Sequence, residues 1–453
     1  MMTHLARKLR ITDYFALGWG TMVGVGWLVI MDDWLLRGGA LGTILGFAIG
    51  GAALLPIGWV YGRMVQAMPD AAGEIAYTAA AFPRSISYAT GWMMLLAYFI
   101  VCPWEAVAVG RIAGYIFPAL DSVELYRIAG RPVYLPHLVI GLGLTTFLTI
   151  LNYRGIRLSA TFQNWTSFGT IGLFVIFVAL GASRGSPQNF PPLFTHTPLV
   201  SILLVVQIVP YFMTGFESVG KAAEEASSDF RGHSFFRAIW MAILVGALFY
   251  TIIVAAVAYV APWRALLGEK FMTAVAFQRA VGSHRIVNII LAAAMLSLFK
   301  CFNGNFVASS RMLFALGRRG MTDTRAGEIH PRYQTPSVAV LCVGFFTAVC
   351  MFLGDAILVP ISEVGSVASA IGWSATCAAC LYLGGTKANS TGIRLSAGEK
   401  AVAMFGLLVG FAMLLMKIVP LVPGHFTVYE WIALGCWVAL GAIAVRKSRV
   451  NQS

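Results

Sequence analysis

The chain has 453 residues, of which 58% are hydrophobic and only 11% are charged, and its mean hydropathy is +0.78. Soluble domains usually carry roughly 25% charged residues, so this composition excludes an ordinary soluble protein and indicates a membrane protein with many spans. The formal charge of +13 comes from short Lys and Arg clusters between apolar runs. That distribution fits the positive-inside rule and argues against a nucleic-acid-binding surface.

A helix that crosses a bilayer needs about 20 mostly apolar residues. Twelve runs meet that requirement, and in chain order these predicted spans cover 13–34, 41–67, 86–118, 134–152, 159–182, 198–219, 235–260, 286–316, 336–354, 357–384, 400–420 and 427–446. Lys and Arg concentrate in the connections on the side of the N-terminus, which predicts that both termini are cytoplasmic. The compact loops favour a bacterial inner membrane.

Two of these spans carry residues that weaken a helix. The first contains GWGTMVGVGW (residues 18–27) with four glycines, each of which costs a helix interior about 1 kcal/mol relative to alanine. The sixth contains Thr214-Gly215. The two spans are five apart, so the chain crosses them in opposite directions, as inverted five-span repeats require. We therefore expect one all-α transmembrane domain over residues 1–453, with repeats 13–182 and 198–384 and two extra helices in 400–446.

A broken helix is expected to line a cavity walled by protein, because unpaired backbone groups are not tolerated against lipid. The half-helix after the break in the first span presents free N–H groups that suit a carboxylate. The unwound part of the sixth span presents free carbonyls that suit an ammonium group. Glycine in one span alone can serve close helix packing, as at Gly42-x-x-x-Gly46-x-x-x-Gly50, but paired breaks favour a zwitterionic ligand.

Four motifs, spread in order over most of the chain, carry a family resemblance. They are Gly20-Thr-Met-Val-Gly24-Val-Gly26, Met68-Pro-Asp-Ala-Ala-Gly73-Glu-Ile-Ala-Tyr77, Gly215-Phe-Glu-Ser-Val with Glu224-Glu225, and Ser309-Ser-Arg311-Met-Leu-Phe-Ala-Leu-Gly. These motifs resemble the first span, the stretch after span two, the sixth span and the end of span eight in the amino acid–polyamine–organocation (APC) transporter superfamily. The resemblance implies a LeuT-type fold and alternating-access transport, usually of amino acids or related amines.

Carried over by position, the resemblance also implies a substrate site. The substrate carboxylate would meet the amides of Gly24, Val25 and Gly26. The ammonium would meet carbonyls of Val23 and of the unwound segment around Thr214, namely those of Phe212, Met213 and Gly215. The candidates for the side-chain pocket and gate are Trp27, Cys102, Trp104 and Phe212. These four are mostly apolar, which favours a neutral amino acid. Phe212 is the expected aromatic gate, and Trp27 is expected to narrow the pocket.

Glu105, Glu217 and Lys300 are ionisable residues within predicted spans and are the candidates for ion or proton coupling, because such residues are costly in a membrane. Glu217 follows the second break, and its alternative role is that of a neutral, hydrogen-bonded helix residue. Glu105 could bind a cationic substrate or simply satisfy a neighbouring helix. Some relatives carry a lysine in span five in place of a coupling sodium ion. Residues 163–170 contain none, so Lys300 is the expected substitute, unless it pairs with a glutamate or reaches a watery cavity.

The function expected from the sequence is secondary active transport of an α-amino acid, coupled to protons or working by exchange, with no cofactor. The alternatives are an antiporter of cationic amino acids or polyamines and, more distantly, a channel. An enzyme is not expected, because Gly181-Ala-Ser183-Arg-Gly185 lies in a loop without the strand-to-helix context of a catalytic serine. The expected partners are a small-molecule substrate and membrane lipid, without nucleic acid and without a bound metal.

Overall fold

The computed structural model describes residues 9–223, 232–385 and 392–450. Within these ranges the chain is almost entirely helical, which confirms the all-helical prediction in outline. The α-helices in chain order are α1 (Ile11–Met22), α2 (Gly26–Val29), α3 (Met31–Ala53), α4 (Leu55–Ala67), α5 (Glu74–Ala81), α6 (Arg84–Phe99), α7 (Val101–Ile116), α8 (Leu135–Arg154), α9 (Ile156–Arg184), α10 (Pro198–Val206), α11 (Val209–Met213), α12 (Ser218–Lys221), α13 (Gly232–Val260), α14 (Met272–Val281), α15 (His284–Arg318), α16 (Ser337–Cys350), α17 (Leu358–Gly385), α18 (Ala397–Ile418) and α19 (Val428–Val450).

Nine helical stretches among the described residues are long and apolar enough to cross a membrane. They are Met31–Ala67, Arg84–Ile116, Leu135–Arg154, Ser159–Arg184, Ser234–Val260, Arg285–Arg318, Ser337–Gly385, Ala397–Ile418 and Val428–Val445. The predicted spans 336–354 and 357–384 run together within one stretch of 49 residues. The predicted spans 13–34 and 198–219 do not reach that length, because the structure divides each of them into short helices.

The first span is interrupted over a shorter segment than the glycine-rich stretch suggested. Helix α1 continues through Gly18 and Gly20 to Met22, and α2 begins at Gly26. Gly18 packs against Val219 and Ala242, and a Cβ at Gly20 would collide with the side chain of Gln163. The first break is therefore residues 23–25, and the two earlier glycines serve close packing.

The sixth span is interrupted between α11 and α12, and this second break is residues 214–217. Gly215 has φ +139, a conformation that side-chain-bearing residues rarely adopt. A Cβ at this position would lie 2.7 Å from Met22 N and 2.9 Å from Thr21 C, both backbone atoms of the first span. The second break therefore packs directly against the end of α1, next to the first break, and only glycine permits this approach.

Helix α3 packs closely against α10 and α11 through the small-residue pattern expected from the sequence. Gly42 faces Ser201, and Gly46 and Gly50 face two valines of α10 and α11. This contact holds the sixth span beside the second. The structure also shows an antiparallel hairpin of β1 (Glu124–Ile128) and β2 (Arg131–Tyr134) between α7 and α8, which the sequence did not predict.

Candidate substrate-binding site

A small cavity of about 10 Å³ lies between the first break and α11. Its walls come from the first span and its break, from α7, from α11 and from α15. The residues that line it are Thr21, Met22, Gly24, Gly26, Val101, Trp104, Glu105, Tyr211, Phe212 and Cys301. Five of these are candidates from the sequence, namely Gly24, Gly26, Trp104, Glu105 and Phe212.

The carbonyls that the first break frees are bound by neighbouring side chains. The bonds are Asn305 Nδ2 to Thr21 O (2.9 Å), Cys301 Sγ to Thr21 O (3.2 Å), Tyr250 Oη to Met22 O (2.9 Å), Ser297 Oγ to Val23 O (3.0 Å) and to Gly24 O (2.8 Å), and Lys300 Nζ to Val23 O. Helix α15 supplies all of these donors except Tyr250. Val23 O, expected to receive the substrate ammonium, is thus already occupied by the Lys300 ammonium and the Ser297 hydroxyl.

Lys300 lies at the C-terminal end of α1 and is fully buried. Its Nζ is 4.4 Å from the centroid of the Trp19 ring, and it donates to the carbonyl of Val23, the C-cap residue of α1. A cation at this end of a helix is favoured by the helix dipole and by the free carbonyls. The described contacts of Nζ are therefore with a carbonyl and an aromatic ring rather than with Glu105 or Glu217.

The amides of the first break lie beside a carboxylate of the protein itself. The N–H groups of Gly24 and Val25 have no backbone partner among the described residues. Glu105 is 1% exposed, and its carboxylate lies next to the Val25 backbone and the Cys301 thiol. A Cβ at Gly24 would collide with Glu105 Oε1, and Glu105 Oε2 has no hydrogen-bond partner within the described part of the chain. A buried charge of the protein therefore faces the position expected for the substrate carboxylate.

In the second break, Glu217 stabilises the turn. Its Oε2 accepts from Gly215 N at 3.0 Å, and its Oε1 accepts from Trp373 Nε1 at 3.3 Å. The carbonyls of Phe212 and Met213 accept no hydrogen bond in the ranges described, whereas Gly215 O accepts from Ser218 N at 2.9 Å. The free acceptors nearest the cavity are thus those of Phe212 and Met213.

Thr214 and two of the aromatic candidates lie at the edges of the site. Thr214 Oγ1 donates to Pro210 O at 2.6 Å and contacts Ser369 Oγ, so it ties the break to α17. The Phe212 ring lies over Gly26, where a Cβ would be 2.6 Å from Phe212 Cε1. Trp104 lines the cavity, and its Nε1 donates to Leu358 O at 2.8 Å. Phe212 and Trp104 therefore close the cavity on one side.

Trp27 and Cys102 point away from the cavity. The Trp27 ring packs against Phe177 and Phe249 at centroid distances of 5.9 and 6.4 Å, and the Cys102 thiol faces Tyr98 O at 3.8 Å. The sequence reasoning missed Thr21, Met22, Val101, Tyr211 and Cys301 among the lining residues. Tyr211 and Cys301 are direct neighbours of Phe212 and Lys300, but the sequence does not show which side of a helix faces the cavity.

A second, larger cavity of about 600 Å³ opens on the membrane face opposite the N-terminus. We call it the vestibule. It is lined by both signs of charge, including the pairs Arg111–Asp355 (3.0 Å) and His137–Asp121 (3.0 Å). Although larger, the vestibule contains no break residue, so the smaller cavity is the better substrate site. Leu358, which Trp104 binds, lines the vestibule, so Trp104 separates the two cavities.

The family model for amino acid permeases matches residues 9–443. The chain belongs to the amino acid permease family. The branched-chain amino acid permease BcaP of Bacillus subtilis is 24% identical over a region that covers 80% of this chain and 77% of the relative. The methylthioribose transporter of the same species is 24% identical, covering 81% and 79%, and the gamma-aminobutyric acid permease of Escherichia coli is 27% identical, covering 69% and 67%.

The family and these relatives are transporters. Three predictions are therefore confirmed. The protein is a multi-pass membrane transporter for amino acids, it is related to the APC superfamily, and it is not an enzyme. Glu224 and Glu225, which contributed to the resemblance, lie outside the described residues.

Proposed function

We propose that this permease moves an α-amino acid by alternating access through the cavity between the two breaks. The observation that supports the proposal is that the first break and α11, the helix that ends at the second break, line one buried cavity. Gly215 of the second break contacts Met22 at the end of α1. The substrate carboxylate binds the amides of the first break around Gly24, Val25 and Gly26, where partly positive N–H groups face the cavity. The ammonium binds the free carbonyls of Phe212 and Met213.

Glu105 makes the binding of a carboxylate depend on a proton. Two like charges about 4 Å apart repel by about 4 kcal/mol at an effective dielectric constant of 20. A substrate carboxylate at Gly24 is therefore accepted when the Glu105 carboxyl is protonated or moves away. Proton-coupled symport follows, with the proton on Glu105 entering together with the substrate.

Lys300 supplies a positive charge at the end of α1 that holds the first break open. Its ammonium occupies Val23 O and lies over Trp19, so it replaces a bound cation at this helix end. Glu217 acts by holding the turn of the second break and not by touching the substrate. Lys300 therefore maintains the conformation and the positive charge of the site, and Glu105 couples substrate binding to a proton.

The second candidate is a transporter of cationic amino acids or amines. It is favoured by the unpartnered Glu105 Oε2 at the cavity, which could balance a positive group of the substrate instead of holding a proton. Some relatives are named cationic amino acid transporters, such as that of Mus musculus. The mostly apolar lining by Val101, Trp104 and Phe212 favours the neutral substrate.

The finer architecture is also part of the proposal. Twelve spans form a LeuT-type fold with inverted repeats 13–182 and 198–384, followed by 400–446, and both termini lie in the cytoplasm of a bacterium. The opposite crossing directions of the two broken spans and their direct contact support this arrangement. Reporter fusions in each connection test the number of spans and the orientation.

The deciding experiment uses purified protein in proteoliposomes. A thermal-shift screen of amino acids and amines comes first, because a ligand stabilises the protein in proportion to its occupancy. Uptake of the stabilising ligand is then measured with and without an inward proton gradient. Stabilisation led by neutral α-amino acids, with uptake driven by the proton gradient, supports the proposal. Stabilisation led by amines without a carboxylate would replace it with the second candidate.

A further inference from the structure

A fully buried ion pair lies between the substrate cavity and the membrane face that bears the N-terminus, which we call the inner face. Lys221 Nζ donates to Glu74 Oε1 at 2.8 Å, and the two side chains are 1% and 0% exposed. The two residues are 147 positions apart in the chain. Neither is among the residues that the sequence motifs assign to the substrate site.

Two tyrosines complete this cluster. Lys221 Nζ also donates to Tyr98 Oη at 2.8 Å, and Tyr61 Oη donates to Glu74 Oε1 at 2.9 Å. Thr376 Oγ1 donates to Tyr61 Oη at 3.3 Å. We call these five residues the Lys221 cluster. Its members come from α4, α5, α6, α12 and α17, and the Lys221 ammonium itself joins α12 to α5 and α6.

The cluster closes the inner side of the cavity. Lys221 ends α12, the short helix that follows the second break. The next residue, Ala222, accepts from Tyr14 Oη near the start of α1 at 2.7 Å, so α12 is fixed to the inner end of the first span. The opposite face instead holds the open vestibule. The cluster therefore seals the inner side, while Trp104 separates the cavity from the vestibule on the outer side.

A buried ion pair suits a barrier with two discrete states. When the partners are together, Glu74 Oε1 accepts from both Lys221 Nζ and Tyr61 Oη, although Glu74 Oε2 has no hydrogen-bond partner in the described part of the chain. Separating the partners leaves charges that need water. Helix α12 has four residues, and its movement away from α5 would separate Lys221 from Glu74 and open a wetted route to the inner face. The pair thus favours the closed barrier until water can reach it.

We propose that Lys221 and Glu74 form the inner gate of the transport cycle, holding the inner side of the cavity closed until the pair separates for substrate release. This inference rests on the proposed function only in that transport proceeds by alternating access. Lys221 and Glu74 act as positioning residues of the gate and make no contact with the substrate.

The test measures access to Cys301, which lines the cavity and is a free thiol. Full-length protein in vesicles of each orientation is treated with a membrane-impermeant thiol reagent, and labelling of Cys301 is quantified by peptide mass spectrometry. Lys221→Met should increase labelling from the inner face by roughly tenfold, because the minor state of a two-state protein is typically populated at about 0.1–10%. The reversed pair Lys221→Glu/Glu74→Lys should return labelling towards that of the wild type.

The matched control is Glu399→Gln, which removes the half-exposed pair of Arg63 with Glu399 (3.5 Å) between α4 and α18. Labelling of this variant should equal that of the wild type, because an exposed pair contributes little. If Lys221→Met does not fold, the double variant Lys221→Gln/Glu74→Gln, which removes both charges of the pair, is measured and should also show increased labelling.

The gate assignment is overturned if labelling from the inner face is unchanged in a folded Lys221→Met or Lys221→Gln/Glu74→Gln protein. It is also overturned if the reversed pair Lys221→Glu/Glu74→Lys is labelled as strongly as Lys221→Met. Protection of Cys301 by amino acids in the wild type reports separately on the substrate site. If amino acids do not protect Cys301 in the wild type, but the variants show the expected labelling from the inner face, the proposed function is contradicted and the gate assignment is still supported.

Discussion

Gly24→Ala is the most direct test of the cavity between the breaks. The added methyl group would collide with Glu105 Oε1 and lie 3.0 Å from Cys301 Sγ, while the amides of the first break stay in place. Glu105 can yield only by turning into the cavity, which has a volume of about 10 Å³ and which the substrate must share. Overpacking of this kind costs about 1–3 kcal/mol. If this free energy destabilises only the substrate-bound state, the affinity for substrate falls by roughly 5- to 150-fold.

The assay is the concentration dependence of amino acid uptake in proteoliposomes, with the melting temperature of the purified protein measured alongside. Gly24→Ala should raise the half-saturating concentration and leave the melting temperature within a few degrees, since the collision is with a movable side chain. The control is Gly172→Ala on α9, where an added Cβ meets nothing within 4 Å and uptake should be normal. Normal uptake by a folded Gly24→Ala protein would refute the location of the substrate site.

Three further predictions follow from the same geometry. Wild-type uptake should rise as the external pH falls, because carboxylate binding needs a protonated Glu105. Glu105→Gln should abolish this pH dependence, and uptake by the variant that still rises as the pH falls contradicts the coupling role of Glu105. Lys300→Met should lower gradient-driven uptake at least about tenfold, because Val23 O loses its ammonium partner; normal uptake and normal pH dependence would remove Lys300 from the mechanism. Gly215→Ala should destabilise the protein by about 1–3 kcal/mol, because its Cβ would meet backbone atoms at the end of α1. A melting temperature equal to that of Gly172→Ala would contradict the contact between the two broken spans.

Part of the candidate site could be predicted because its signals are local. Thr214-Gly215 and the Gly24–Gly26 segment weaken a helix wherever they stand, so the sequence indicates a break near each of them. The same signal failed at Gly18 and Gly20, where the helix continues because Val219 and Gln163 require close approach. The sequence does not distinguish a glycine at which a helix ends from a glycine that allows close packing of a neighbouring helix. Only the contacts in the folded protein distinguish the two.

The sequence by itself determined that the chain lies in a membrane, that it is helical, which family it belongs to and where its helices break. These properties depend on hydropathy, propensity and motifs that act over a few residues. Tertiary structure alone decided that Lys300 occupies Val23 O, that Glu105 faces Gly24, and that Trp27 turns away from the cavity. Those contacts depend on how each helix is rotated about its own axis. In a helix that is apolar on every side, the sequence carries no stripe to indicate that rotation.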